Sequence, residues 1–382
     1  MYRILFLIFP VFFISPCFGQ ENSPDEAKPV LQIGGALRFN YNLSTWKEGQ
    51  LKRGGDFGYD MFRINATGEH RGIKLDTEFR VYSAAFGGPM LKQGWFGYDF
   101  SDKAEIQVGL NQVPFGIQQY NSNNWFFNLT YYIGFEDDHD MGVKYIHDNG
   151  DWQWQAAYYL SAEEFVFAEV EGSPNRYSYD ILGRNKENNQ LNLKLMRRTG
   201  AERQHEFGVS GMAGLLYNLD TKQNGTRTAG AIHYEYKSTQ SPWNIKLEAM
   251  TYRFDPAFAE DEAHPNQIEM GAYGANYRVA TMGDLYTVGV SYLLPVNAAP
   301  LESITFYNNY GFYNKRVNSF ENSHMNVLGC MLTAGLMYIY VDNALGYNHP
   351  WLGPEWTNAF SEGTTRDTRW HLRFNINMGL YF

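Results

Sequence analysis

Four arginines, Arg38, Arg63, Arg80 and Arg373, and a short acidic cluster, Glu136, Asp137, Asp138 and Asp140, are the residues whose type and spacing point to chemistry. Guanidinium groups stay protonated at physiological pH and carboxylates ionise, so a basic row facing an acidic cluster sets a field across the space between them. Such a field aligns dipolar solutes and weighs anion against cation passage without making or breaking a bond. The alternative reading is that the arginines pair with Asp76, Glu78 or neighbouring wall carboxylates while the acidic cluster is a solvated or cation-binding loop. The triplet Asp138-His139-Asp140 carries metal-donor atoms, but scattered His and Asp in a polar loop usually signify solvation, and no metal is expected there. No G-x-S-x-G, H-E-x-x-H, C-x-x-C or glycine-rich phosphate loop occurs. Neither a catalytic residue nor a cofactor is expected.

Whether those charges face one another depends on the elements carrying them. Leu31, Ile33, Leu37, Phe39, Tyr41 and Leu43 alternate with Gln32, Gly34, Ala36, Arg38, Asn40 and Asn42, a period of two that specifies a strand with one apolar face. Residues 73 to 82 repeat it, with Ile73, Leu75, Thr77, Phe79 and Val81 against Lys74, Asp76, Glu78, Arg80 and Tyr82. The pattern returns at 104 to 111, 152 to 161, 191 to 195 and 243 to 248, where Leu191, Leu193 and Leu195 oppose Asn192 and Lys194, and Trp243, Ile245 and Leu247 oppose Asn244, Lys246 and Glu248. No helical period competes.

Residues 1 to 19 read as an export signal: Arg3, then an apolar run from Ile4 to Ile14, then Cys17-Phe18-Gly19 as a small-residue cleavage site. A lipoprotein role for Cys17 is the alternative, and Pro16 just before it fits that poorly. Residues 20 to 29 are a polar linker and 30 to 382 the strand-rich domain. Removing the signal takes one of the 31 basic residues and none of the 41 acidic ones, so the mature chain carries a net charge of −11. That balance argues against nucleic acid as a partner. Only Cys330 survives processing, so packing and hydrogen bonds must hold the fold.

Beyond the signal, no apolar run reaches the roughly 18 residues of a membrane helix, yet 17% of residues are aromatic. Strands with one lipid-facing and one lumen-facing side, ending in aromatic girdles, reconcile the two facts in a transmembrane antiparallel β-barrel. Short connections at His70-Arg71-Gly72, Ser101-Asp102-Lys103, Asp148-Asn149-Gly150 and Ser238 to Pro242 alternate with long ones at 45 to 56, 113 to 139, 162 to 188 and 255 to 268. Sixteen strands result, beginning near 30, 57, 72, 91, 104, 140, 151, 189, 205, 228, 243, 284, 302, 324, 335 and 368. In this count 269 to 283 belongs to a loop and Thr333-Ala334-Gly335 is a turn. Treating 269 to 280 as a strand and 325 to 341 as one long strand also gives sixteen, but the latter exceeds the roughly 9–11 residues of a spanning strand. The four arginines then point inward near mid-height on the first three strands and the last, which adjoin once the barrel closes. The final strand alternates from Trp370 to Phe382. Its terminal aromatic, Phe382, resembles the signal read by the barrel-assembly machinery of Gram-negative bacteria.

The segment from Val108 to Ile117, containing Pro114-Phe115-Gly116, resembles the G-x-x-x-x-P-F-G stretch of the phosphate-selective porin O and P family. Further matches follow in order: Asp140 to Tyr145, Tyr292 to Pro295, Thr305 to Tyr310 and Tyr340 to Asn348. The resemblance implies a homotrimeric sixteen-stranded porin in outer-membrane lipid and lipopolysaccharide, with a long third loop folded into the lumen and small ions and solutes as its traffic. Phosphate preference in that family rests on many basic residues lining the funnel, and this acid-rich chain departs from it. The expected function is passive diffusion of small hydrophilic solutes through a water-filled channel. A non-channel barrel, either an outer-face hydrolase or an adhesin or structural barrel, is the alternative. A plugged, gated transporter is disfavoured, since ten residues precede the first strand.

Overall fold

The computed structural model describes residues 30–163, 175–363 and 369–382. The export signal and linker at 1 to 29 lie outside the described residues.

Strands β1 (Val30–Ser44), β2 (Asp56–His70), β3 (Ile73–Tyr82), β4 (Pro89–Ser101) and β5 (Ala104–Gln112) lead into a long loop, 113–138. After it come β6 (His139–Asp148), β7 (Trp152–Ser161), a two-residue β8 (Asp180–Ile181), β9 (Asn185–Thr199), β10 (His205–Asn218), β11 (Asn224–Lys237) and β12 (Trp243–Asp255). The remainder are β13 (Gln267–Ala272), β14 (Ala275–Ala280), β15 (Met282–Ala298), β16 (Leu301–Lys315), β17 (Ser323–Ala334), β18 (Met337–Tyr347) and β19 (His371–Tyr381). Sixteen of these close into one antiparallel barrel in which β1 pairs with both β2 and β19. The other three, β8, β13 and β14, form a small separate sheet in the order β14-β13-β8.

The expected strand starts agree to within four residues, the largest offsets being 189 against Asn185 and 228 against Asn224. Gly335, at φ 59°, makes the tight turn between β17 and β18, so 325 to 341 is two strands. A strand of this barrel can nevertheless be as long, since β15 runs for 17 residues. The segment read as plain loop at 269 to 283 is a hairpin, β13–β14, turning at Tyr273-Gly274 with both φ angles positive, at 54° and 75°. That backbone suits a tight two-residue hairpin connection. Two short helices also occur, α1 (Glu48–Arg53) and α2 (Leu129–Tyr132), too brief for a helical period to register.

The alternation dictates which face is which. Leu31, Ile33, Leu193 and Ile232 are 54–71% exposed on the outer wall, while Lys194, Asn309, Asn375 and Asn377 on the inner wall are at most 2% exposed. Aromatic pairs ring the outer face near the tight turns, among them Tyr98–Phe100 and Trp243–Tyr292, and near the loops, among them Phe39–Phe57 and Tyr347–Trp370. An apolar band between aromatic girdles is the outer surface that lipid requires, and closure satisfies every strand edge. At the seam, Phe382 and Gly35 exchange backbone hydrogen bonds of 2.7 and 3.0 Å.

The buried apolar core lies inside the barrel at its loop end. Tyr131 and Tyr132 of α2 pack on Tyr179, Tyr277, His349 and Phe360 from three other loops. The Tyr277 hydroxyl donates to the Tyr132 carbonyl at 2.6 Å. Loop segments that share a sheet and an aromatic cluster hold each other in place.

Candidate functional site: the lumen constriction

The loop 113–138 leaves β5 and crosses the lumen. The amides of Gly116 and Ile117 donate to Ser210 Oγ (3.1 Å) on β10 and Glu248 Oε2 (2.7 Å) on β12. The side chains of Asn121 and Asn124 then reach Thr287 (2.9 Å) on β15 and Asn309 (3.1 Å) on β16. In the ring order β16 stands diametrically opposite β5, so the loop spans the full bore. Three inward lysines clamp it at its root and along its length: Lys144 donates to the Gln112 carbonyl (2.8 Å) at the end of β5, Lys194 to Gln118 Oε1 (3.0 Å) and Lys246 to the Tyr120 carbonyl (2.7 Å). Lys194, Lys246 and Glu248 are legible in the sequence as inward positions; what their strands alone do not reveal is the loop they meet.

Within the motif Pro114-Phe115-Gly116, each residue has a packing reason. Phe115 is buried against Phe135, and Gly116 adopts φ 55° with a Cβ at that point running into the Glu248 carboxylate. Only glycine meets both demands cheaply. Pro114 sits buried at the start of the crossing, where no further strand hydrogen bond is needed.

The acidic cluster splits into three environments. Glu136 accepts from the amides of Asn121, Ser122 and Asn128 and from the hydroxyls of Ser122 and Thr130, at 2.8–3.3 Å, and so braces the loop internally. Asp137 accepts from Tyr177 Oη (2.6 Å) and Gln112 (3.1 Å) and pairs with Lys92 Nζ at 2.9 Å. Asp138 and Asp140 turn instead toward Asp180 of β8. Burial pushes the carboxyls of Glu136 and Asp137 up from their usual range, with Lys92 pulling Asp137 back, while Asp138 is driven well up by burial and then by its neighbours Asp140 and Asp180. All four residues are at most 4% exposed, so they do not present an acidic face to open solution.

Three of the four arginines share one wall. Arg63 and Arg80 are direct cross-strand partners, and Arg38 lies opposite Met61, two residues along β2 from Arg63. Arg38 pairs with Asp60 (2.9 Å), Arg63 with Glu78 (3.3 Å) and Arg80 with the same Glu78 (2.5 Å), and Arg80 also stacks over Tyr177 at 4.6 Å. Arg373 stands apart, correcting the expectation of a four-arginine stripe at one height. Its Cα partners Ser44 at the loop end of β1, its guanidinium donates to Ser44 Oγ (3.1 Å), and it covers the Trp46 ring. Gly379, the partner of Arg38, lies six positions further along β19, roughly 20 Å at the rise of an extended strand. A strand beginning near 368 would set Arg373 closer to mid-height, but β19 begins at His371 and Arg373 is its third residue.

The cation that pairs with Asp137 of the acidic cluster is Lys92, which sequence reasoning missed. Its signal was available: Leu91 faces outward, so its neighbour must face in. Arg38 and Arg63 keep 15% and 23% of their side chains accessible, against 1% for Lys92. Of these three cations the accessible two lie on β1 and β2, beside Tyr381, over which Arg63 lies at 5.0 Å.

No protein-family profile and no curated protein matches the chain by sequence. Solved structures do match. OmpT, an outer membrane protein of Vibrio cholerae in its trimer form, shares 14% identity at a TM-score of 0.60, over 93% of this chain and 100% of that one. An anion-selective porin from Comamonas acidovorans shares 11% at 0.60 over 93% and 100%. The outer membrane channel DcaP of Acinetobacter baumannii shares 12% at 0.59 over 93% and 97%. At such identities it is the fold that is shared, and the chain accordingly has the architecture of an outer-membrane, porin-type barrel of sixteen strands.

Proposed function

We propose that this protein is an outer-membrane porin of narrow bore, passing small hydrophilic solutes and ions by passive diffusion along the β1–β3 wall, and that it is not an enzyme. The observation carrying this reading is the contrast around the waist. Inner-wall side chains on β4, β6, β9 and β16, namely Lys92, Lys144, Lys194 and Asn309, are buried against the crossing loop or the end of β5 that leads into it, whereas Arg38 and Arg63 stay partly accessible. Sixteen strands are also too many for side chains alone to fill.

Accessible guanidiniums favour anions, a preference that the resemblance to phosphate-selective porins supports. Asp60 and Glu78 beside them, and the acid-rich composition, weigh against phosphate as a dedicated solute. The broad apolar outer wall suits self-association, and a homotrimer is the assembly that the resemblance implies. The aromatic cluster at the loop end favours a second reading, a barrel whose bore is shut and whose role is structural or adhesive. Purified protein in a planar bilayer separates them: stepwise ion current with a reversal potential on the anion side supports the porin, and a silent bilayer with correctly folded protein rejects it.

A further inference from the structure

Asp138, at the end of the crossing loop, Asp140, at the start of β6, and Asp180 on β8 each offer a carboxylate oxygen, and these oxygens lie within 4.8 Å of one another. All three residues are at most 4% exposed. Each has one carboxylate oxygen, Oδ1, with no hydrogen-bond partner among the described residues. A fourth buried residue adjoins the cluster. Gln190, 2% exposed, donates its amide nitrogen to Asp140 at 3.0 Å and leaves its own Oε1 buried and unpartnered beside the cluster.

The charges around these oxygens do not balance. Glu187 and Glu163 add to the three aspartates, and the guanidiniums that oppose them among the described residues are Arg227, which reaches Glu187, and Arg176, which pairs with Asp180 at 3.0 Å. Five carboxylates against two guanidiniums leave an excess of negative charge in a site from which water is largely excluded, and buried charge must be paired or neutralised. Protons can do this, and so can a metal ion. The donors present are hard oxygens, four with spare capacity, without the cysteine or histidine that zinc prefers. His139, between the two aspartates, is turned away, its Nδ1 on the Asp137 carbonyl at 2.8 Å. Oxygens lying within 4.8 Å of one another can all be reached by one calcium ion about 2.4 Å from each, and calcium accepts irregular oxygen sets more readily than magnesium does.

We propose that Asp138, Asp140 and Asp180, with Gln190 Oε1 as a neutral fourth donor, form a binding site for a calcium-class divalent cation that pins the crossing loop to the segment carrying β8. The two segments already touch there, through Tyr177 to Asp137 and the His139 amide to Ser178 Oγ (3.0 Å). The cation converts a repulsive contact between them into an attractive one.

Isothermal titration of calcium chloride into chelator-treated full-length protein, refolded in detergent without lipopolysaccharide, tests this at neutral pH. One saturable site per chain is expected. The variants Asp138→Asn and Asp180→Asn should each weaken it at least tenfold, and the pair together a hundredfold or more, while Asp220→Asn, at the exposed pair with Arg184, leaves it unchanged. Absence of a saturable site in the wild-type protein overturns the proposal and shows that protons neutralise the cluster. So does wild-type affinity in a folded Asp138→Asn or Asp180→Asn variant. If the double variant does not fold, the two single variants and the wild-type titration still decide.

Discussion

At the scale of single residues, the test of the lumen is charge. Arg38 and Arg63 are each paired, so removing both strips two positive charges from the accessible wall and leaves Asp60 with Asn377 as a neutral partner, while Glu78 keeps Arg80. A unit charge about 7 Å from a passing ion is worth roughly 0.6 kcal/mol in water, and more beside low-dielectric walls. The double variant R38A/R63A should therefore move the permeability ratio several-fold toward cations, read as the reversal potential under a salt gradient. At about 1 M salt the Debye length is near 3 Å and the effect should shrink. An unchanged reversal potential at low salt would place the permeation path elsewhere. The buried carboxylates make a different prediction. Burial and Asp180 push Glu163 up to about 8, and Asp138 is raised in the same way. A carboxyl raised above its unfolded value, near 4, supports the folded loops fully only below that value and loses this contribution as pH rises through the folded value. In chelator, the near-ultraviolet circular dichroism of the aromatic loop core should thus weaken between pH 5 and 9; a signal that strengthens with pH would contradict the sign.

At the scale of elements, the crossing loop depends on a carboxylate. Glu136 satisfies five donors of its own loop, and in the Glu136→Ala variant each buried donor left unmet costs about 1–3 kcal/mol. Water entering the space can meet some of them, so the expected result is a loosened crossing rather than an unfolded barrel, since the wall's ladder is independent of Glu136. Single-channel records should show larger mean conductance and greater open-channel noise than wild type. A conductance equal to wild type, with the variant folded, would mean that the loop does not narrow the path. The same logic explains Gly116, whose left-handed backbone and contact with Glu248 fix where the crossing lands.

At the scale of the whole molecule, closure is the decisive event. β19 must pair with β18 on one side and β1 on the other, with Gly35 and Phe382 joined through both backbone groups at the seam. Deleting Phe382 removes that last pair of hydrogen bonds and an aromatic side chain that is 62% exposed on the outer rim. Assembly into the outer membrane should fall, measured as the fraction of protein that shifts its gel mobility on boiling. The purified wild-type protein should show that heat-dependent shift in detergent. Full assembly of the truncated chain would show that neither the terminal contact nor the terminal aromatic is needed.

The sequence by itself determined the wall. Period-two alternation is a local property, and because successive side chains on a strand point to opposite faces, it assigns lipid and lumen sides without knowledge of any partner strand. Turn residues such as Gly335 and the closing run to Phe382 completed the strand count for the same reason. The third loop, too, was legible as an inward crossing, through its resemblance to a family segment at Pro114-Phe115-Gly116. What only the tertiary structure decided is who meets whom inside. Lys92 finds Asp137 from 45 residues away, and Asp180 joins Asp138 and Asp140 from 40, because closing the ring and folding the loops inward brings distant segments into one small volume. Strand register determined the rest: Arg373 points inward as its alternation requires, yet the pairing of β19 with β1 sets it beside Ser44 and away from Arg38, a height that no single strand encodes.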